Sequence, residues 1–258
     1  MHGQRGEQVL GSAEELSTRS ATLSEKPTTL LLGFAIFWTV TTERWATFDC
    51  YGTLVDWLGG MRAALQAIAP NDAERLLGAY HELEPAVQGE HFRCYRDVLA
   101  GTLRRAAARE GVALSPEGEH VLAETLPGWP VFDDVAPALT DLREAGWRLA
   151  ILSNVDDDLI AATLSRLEVP VDLVVSAERV RSYKPALGHF ETFRRRSGVA
   201  EGAWVHVAQS LFHDIAPARR LGLPSVWVNR QDEADPGTAT VTVPTLERLA
   251  ETLDPLVH

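Results

Sequence analysis

Polar side chains that are able to do chemistry follow several short apolar runs of this sequence. Asp49 lies within the run WATFDCYGTLV (45–55), and Lys184 follows the run VDLVVSA (171–177). Because ligands bind beyond the carboxyl ends of parallel strands, such groups are predicted to meet at one edge of a sheet. In chain order, the set is Asp49, Ser153, Asn154, Lys184, Gln209, Ser210 and Asp214.

The residue types in this set favour a reaction at a carboxylate. An aspartate beside a lysine ammonium stays ionised. A desolvated and well-aimed carboxylate is able to attack an electrophilic atom and form a covalent ester, which water then hydrolyses. Each residue alone is more typical of a turn or a helix cap. Their occurrence at four successive strand ends is what favours an active site.

The elements that must position these residues alternate between strands and helices. This alternation predicts an α/β fold with a doubly wound parallel sheet and helices on both faces. Short apolar runs predict strands at 45–55 (which runs into a glycine turn), 147–154, 171–177, 203–210 and 224–230. Apolar residues spaced by three and four predict helices at 61–69, 73–84, 92–110, 116–126, 134–146, 157–168, 186–198 and 214–222.

This pattern divides the chain into three parts. The α/β core is predicted to comprise 43–57 and 133–258, with the helical segment 58–132 inserted after the first strand. Residues 1–42 are expected to be a dispensable extension or the result of a start assigned too early. Their apolar run, 30–40, is shorter than the ~20 residues of a membrane span. Acidic residues precede that run, unlike in a signal peptide.

Composition limits the partners. The chain has 258 residues and a formal charge of −12. An acidic protein repels phosphodiester backbones, so no nucleic-acid partner is expected. The two cysteines, Cys50 and Cys94, are too few for a disulfide framework, which favours a cytoplasmic protein. We expect a small-molecule substrate, no membrane partner, and a monomer or a homodimer.

Four segments resemble the motifs of the haloacid dehalogenase superfamily over residues 45–258. They are FDCYGTL (48–54), ILSN (151–154), SYKP (182–185) and VAQSLFHDIAPARRLGLPSVWVNR (207–230). The resemblance implies a Rossmann-like core, with 58–132 as its cap. It also implies that Asp49 is the nucleophile and that Thr53 and Ser153 orient the reacting groups. By the same resemblance, Lys184 neutralises charge, and Asp214 holds Lys184 or positions water.

Two positions favour the 2-haloacid dehalogenase branch over the phosphatases. The phosphatases carry further aspartates where this sequence has Tyr51 and Gln209. Mg²⁺ prefers anionic oxygen ligands, so we expect no metal and no cofactor. The histidines have no metal-site spacing and are interpreted as structural or surface residues, although His213 adjoins Asp214. The four considered are His81, His91, His206 and His213.

The predicted substrate pocket departs from that branch. Phe190 and Leu211 stand where the dehalogenases have Tyr and Asn. The segment 76–85 has no arginine for the halide, and Tyr80 or His81 stands there instead. Arg93 and Arg96, on one helix face, are either a basic lining of the pocket or a solvated surface. The predicted substrate contacts are Tyr51, Asn154, Gln209, Ser210, Arg93 and Arg96.

The sequence therefore predicts a hydrolase that converts a short 2-haloacid to a 2-hydroxy acid through an ester on Asp49. Two alternatives remain open. One is a Mg²⁺-dependent phosphatase of a small phosphorylated metabolite. The other is a catalytically quiet binding protein with the same fold.

Overall fold

The computed structural model describes residues 43–258, in which six parallel strands form one sheet. The strands are β1 (Arg44–Phe48), β2 (Trp147–Ser153), β3 (Leu173–Ser176), β4 (Trp204–Ala208), β5 (Ser225–Val228) and β6 (Val241–Val243). They lie in the order β3-β2-β1-β4-β5-β6, and every neighbouring pair is parallel. This is the strand order of a doubly wound, Rossmann-like sheet, so the predicted fold class is confirmed.

Helices connect the strands. In the described part of the chain, they are α1 (Trp57–Ile68), α2 (Ala73–Glu90), α3 (Tyr95–Glu110), α4 (Val121–Thr125), α5 (Val135–Glu144), α6 (Asp157–Leu164), α7 (Ala177–Val180), α8 (Gly188–Ser197), α9 (Ala216–Arg220) and α10 (Leu249–Leu253). Single 3₁₀ turns occupy Gly118–His120, Leu126–Gly128 and Asp254–Leu256, and a π-helical turn occupies Leu211–Ile215. None of these helices has the length and apolar character needed to cross a membrane.

Both faces of the sheet are buried. Successive side chains of a strand point to opposite faces. Trp45 therefore packs in one apolar cluster with Leu152 and Phe193, whereas Phe48 packs in another with Ile151. This two-sided burial explains why the strands are continuous apolar runs, as parallel sheets require.

Several element boundaries differ from the sequence prediction. The predicted helix 116–126 is a short α4 flanked by two 3₁₀ turns, because Gly118 and Pro127 interrupt it. The predicted helix 92–110 begins only at Tyr95. β6 and α10 were not predicted, since they have only three and five residues and β6 follows a polar loop.

The helical segment between β1 and α5 is attached through two connections that run side by side. The amide of Asp56 donates to the carbonyl of Pro130 at 2.7 Å, and that of Phe132 donates to Leu54 at 3.0 Å. All described residues belong to one compact unit. The division into a core and a cap at 58–132 therefore stays a prediction. The predicted extension, 1–42, lies outside the described residues.

A distant aspartate fixes the start of α3. Asp156, just after β2, accepts hydrogen bonds from the amides of Tyr95 at 2.6 Å and Arg96 at 3.0 Å. These are the orphan amides of a helix N-terminus. The contact ties the helical segment to the carboxyl edge of the sheet.

Gly60 of α1 tests how closely this segment is packed. A Cβ atom at Gly60 would lie 2.2 Å from Cγ of Trp129, whereas one at Gly78 of α2 would meet nothing within 4 Å. We expect Gly60→Ala to lower the free energy of unfolding by about 2 kcal/mol through overpacking. Gly78→Ala, the matched control, should raise it by up to ~1 kcal/mol through helix propensity. Urea denaturation measures both, and equal effects would contradict the packing described here.

Candidate active site

The carboxyl ends of β1, β2 and β4 meet where the strand order reverses, at a cavity of about 660 Å³. Asp49 directly follows β1, Ser153 ends β2, and Gln209 directly follows β4. The sequence-predicted residues that line the cavity are Asp49, Tyr51, Ser153, Asn154, Lys184, Gln209, Ser210 and Asp214. The structure thus brings together the strand-end set of the sequence analysis.

Lys184 joins the two aspartates beneath the cavity. Its Nζ lies 2.8 Å from Oδ1 of Asp49, 2.6 Å from Oδ1 of Asp214 and 2.7 Å from the carbonyl oxygen of Leu152. The side chain of Lys184 is 1% exposed. An ammonium has three donors, and all three are used. Lys184 therefore acts on the aspartates and has no proton left for a ligand.

The three ionisable groups have shifted pKa values. Burial raises the pKa of Asp49 above its usual range, although the charge of Lys184 opposes this. Burial would raise the pKa of Asp214 too, but the Lys184 charge and a hydrogen bond from His206 hold it far below its usual range. Burial would lower the pKa of Lys184, but the charges of both carboxylates raise it. Asp49 is thus the more basic carboxylate, as a nucleophile requires.

The turn after β1 aims the Asp49 carboxylate. Thr53 Oγ1 donates to Asp49 Oδ2 at 2.9 Å and accepts from the amide of Gln209 at 3.0 Å. Gly52 makes the turn possible with a φ of 95°, a conformation that favours glycine. Each oxygen of Asp49 therefore accepts one hydrogen bond, and the carboxylate is fixed in orientation.

Asn154 has a role that the sequence analysis did not foresee. Its Oδ1 accepts from the amide of Lys184 at 2.7 Å, and its Nδ2 donates to the carbonyl of Lys184 at 3.1 Å. The side chain therefore holds the backbone of Lys184, and only one amide proton is left for a substrate. The adjacent Ser153 differs, because its Oγ is buried and has no partner among the described residues.

The π-helical turn after β4 presents His213 to the cavity. Ser210 caps the turn by accepting from the amide of His213 at 3.0 Å, and its Oγ lies 3.2 Å from Nδ1 of the same residue. Nε2 of His213 is buried without a partner in the part of the chain that the structure describes. Burial lowers the pKa of His213 to about 4, so the ring is neutral at pH 7.

Arg93 and Arg96 are not among the residues that line the cavity. Arg93 donates to Glu90 at 2.7 Å, and Arg96 forms an exposed ion pair with Asp158. Both arginines are therefore engaged outside the cavity. Arg96, with its side chain 45% exposed, fits the solvated-surface interpretation, whereas the side chain of Arg93 is 20% exposed and partly buried outside the cavity. Tyr51 does line the cavity, but its hydroxyl is 2.8 Å from Oγ1 of Thr163.

A buried carboxyl on the helical wall escaped the sequence analysis. Glu84 of α2 lines the cavity, and its Oε1 accepts from the hydroxyls of Tyr80 and Tyr95, each at 3.2 Å. Burial raises the pKa of Glu84 to about 7. One feature of the sequence could have revealed this carboxyl: Glu84 occupies an apolar position of a helix, four residues after Tyr80.

Comparisons with known proteins find one matching family model and several similar proteins. The model of a hydrolase family, the haloacid dehalogenase-like hydrolases, matches residues 44–222. The (S)-2-haloacid dehalogenase 4A of Burkholderia cepacia is 29% identical over 73% of this chain and 84% of its own. The crystal structure of an L-2-haloacid dehalogenase superposes with a TM-score of 0.75 at 25% identity, over 83% of this chain and 99% of that one. A ribulose-1,5-bisphosphate 5-phosphatase of Halopiger xanaduensis is 30% identical over 52% of this chain and 56% of its own.

Glu84 predicts a pH dependence of stability. Its folded pKa of about 7 exceeds the ordinary 4.5. The folded state therefore binds more protons than the unfolded state between these values, and stability is lost as pH rises through the window. At ~1.4 kcal/mol per pKa unit, the free energy of unfolding should fall by about 3 kcal/mol relative to Glu84→Gln between pH 4.5 and 8. Glu124→Gln, at an exposed position of α4, should leave the profile unchanged. Parallel profiles for the parent protein and Glu84→Gln would refute a raised pKa.

Proposed function

The chain belongs to the haloacid dehalogenase-like hydrolases, and from this premise we propose that it hydrolyses the carbon–halogen bond of a short 2-haloacid through an ester on Asp49. Membership of this family makes the chain a hydrolase. A 2-hydroxy acid is proposed as the product because the chain is similar to (S)-2-haloacid dehalogenases.

The observation that carries the proposal is the fixed orientation of Asp49 at the cavity, where its carboxyl group is paired with Lys184. One of its oxygens accepts from Lys184 and the other from Thr53. In the proposed reaction, an Asp49 oxygen forms a bond to the halogen-bearing carbon, and the carbon–halogen electron pair leaves with the halide. Water then attacks the carbonyl carbon of the ester. This releases the hydroxy acid and restores the carboxylate.

Uncharged donors suit the carboxylate of such a substrate. The cations that line the cavity, Lys184 and Arg230, are both occupied: Arg230 donates to Asp134 and to the carbonyl of Thr53. Ser153 Oγ and His213 Nε2 are buried polar atoms of the same cavity that lack partners among the described residues. We therefore assign the substrate carboxylate to Ser153 and His213. The predicted cap, 58–132, would exclude water during the attack.

The donor set fits a Mg²⁺-dependent phosphatase poorly. The Oδ1 atoms of Asp49 and Asp214 both accept from Lys184, and an ammonium in contact with both carboxylates opposes a second cation. Gln209 and Tyr51 supply neutral side chains, whereas Mg²⁺ prefers carboxylates. Because the chain also partly matches a phosphatase, the experiment below includes phosphate esters. The proposal is therefore for a reaction without a metal ion, acting on a small molecule.

Halide release in the presence of EDTA tests the reaction. The panel comprises chloro-, bromo- and fluoroacetate and both enantiomers of 2-chloropropionate. We expect release by the parent protein and by Asp133→Asn, an exposed control. Asp49→Asn should show neither release nor an ester by intact mass, because an amide oxygen is a poor nucleophile. Halide release by Asp49→Asn at the parent rate would exclude the nucleophile. Release of phosphate from phosphate esters with Mg²⁺, and no halide, would favour the phosphatase.

Lys184 gives a second test, which separates charge from volume. Lys184→Met keeps most of the side-chain volume, and Lys184→Ala does not. Both remove the counter-charge of two buried carboxylates, so each should lose roughly 100-fold or more in rate and about 3–5 kcal/mol of unfolding free energy. Initial rates and urea denaturation measure the two effects. Near-parent rates in Lys184→Met would mean that volume, and not charge, is what matters at this position.

A further inference from the structure

A chain of buried hydrogen bonds runs from the core of the sheet to Asp214. His206 of β4 is fully buried and lies beside Thr47 of β1 in the strand register. Its Nε2 is 2.9 Å from Oδ1 of Asp214, and its Nδ1 is 2.8 Å from Oγ1 of Thr47. Trp204 Nε1 donates to the same Thr47 oxygen at 2.8 Å. From the sequence, His206 is predicted to be a structural or surface residue, and it makes no contact with Asp49 in the described hydrogen bonds.

The hydrogen-bond partners of Thr47 and His206 indicate which ring nitrogen of His206 carries a proton. An indole nitrogen only donates, so Thr47 Oγ1 accepts from Trp204 and has its own proton to give. The carbonyl of Val205 is a distant acceptor at 3.4 Å, whereas Nδ1 of His206 is at 2.8 Å. Thr47 therefore donates to Nδ1. With Nδ1 accepting, the hydrogen bond to Asp214 is donated by Nε2.

Because His206 donates to Oδ1, the two carboxylate oxygens of Asp214 have different surroundings. Oδ1 accepts from both Lys184 and His206. Oδ2 is buried and has no partner within residues 43–258, and Asp214 lines the cavity. A carboxylate oxygen accepts hydrogen bonds, and Oδ2 is the one left for a water molecule. Asp49 is one step further from His206, since its own contacts come from Thr53 and Lys184 and not from His206.

We propose that His206 is a positioning residue that holds Asp214 with Oδ2 free to orient the hydrolytic water, and so governs breakdown of the Asp49 ester more than its formation. The inference rests on the proposed function. In this step the water oxygen bonds to Cγ of Asp49, and its proton passes through Asp214 Oδ2. The bond from Cγ to the substrate-bearing oxygen breaks, and that oxygen takes the proton as the hydroxyl of the product. The second proton of the water is released to solvent, and the Asp49 carboxylate regains its charge with one oxygen from water.

Two pairs of variants separate positioning from mere packing. His206→Met fills the space without a donor, whereas His206→Gln keeps an amide donor at the distance of Nε2. Thr47→Val removes the hydroxyl that fixes the ring proton, whereas Thr47→Ser keeps it. Thr47→Val replaces only a hydroxyl by a methyl group. The effect on ester decay can therefore still be measured in this variant if His206→Met fails to fold.

Rapid quenching followed by intact-mass measurement gives the formation and decay rates of the ester on any haloacid that the parent protein turns over. We expect decay to slow about tenfold or more in His206→Met and Thr47→Val, while formation stays within about threefold. The ester should accumulate, so kcat and KM should fall together. His206→Gln and Thr47→Ser should recover most of the decay rate. In addition, ¹⁵N NMR of the parent ring should find the proton on Nε2.

The outcomes distinguish this role from the reaction it belongs to. If the parent protein forms no ester, the proposed function fails and this role fails with it. If the parent forms the ester but decay is unchanged in His206→Met and Thr47→Val, or if formation and decay slow equally, only the role of His206 is overturned. A proton on Nδ1 in the NMR spectrum overturns it without reference to any substrate.

Discussion

One buried ammonium, that of Lys184, holds the cavity floor together. Burying an ammonium with two carboxylates is unfavourable unless every donor and acceptor is satisfied in good geometry. Here each Nζ proton has an acceptor, and the backbone of Lys184 is fixed in turn by both side-chain atoms of Asn154. In this triad two carboxyl groups share one ammonium. Hydrogen bonds from Thr53 to Asp49 and from His206 to Asp214 help to stabilise it.

The parallel sheet supplies these contacts because it brings distant segments to one edge. β1, β2 and β4 are direct neighbours, so the residues after them converge although they are far apart in sequence. Asp156, at the same edge, caps α3 and ties the helical wall to the strand ends. The cavity thus has a charged floor from the sheet and a wall from the helices that carries Glu84. Such a division suits a reaction in which attack occurs at the floor and the substrate is selected at the wall.

The sequence predicts the fold class and the strand-end residues, because both depend on local periodicity and on a general rule for parallel sheets. Residues whose roles depend on distant partners were harder to interpret. Asn154 looked available for a substrate until its pairing with Lys184 was visible. Arg93 and Arg96 were predicted to contact the substrate from their spacing alone. The residue that fixes the start of α3 next to them, Asp156, lies about 60 residues away in the sequence. His206 and Glu84 belong to buried networks that join separate elements, and no spacing within one element reveals such partners.

The central claim is that the product oxygen comes from Asp49 and not directly from water. A single turnover in H₂¹⁸O, with the enzyme in excess over a haloacid that it converts, tests this most directly. The account predicts an unlabelled 2-hydroxy acid and one ¹⁸O atom in the Asp49 carboxylate, read from the mass of the peptide that contains it. A labelled product together with an unlabelled Asp49 would mean that water attacks the substrate carbon itself, and it would contradict the account.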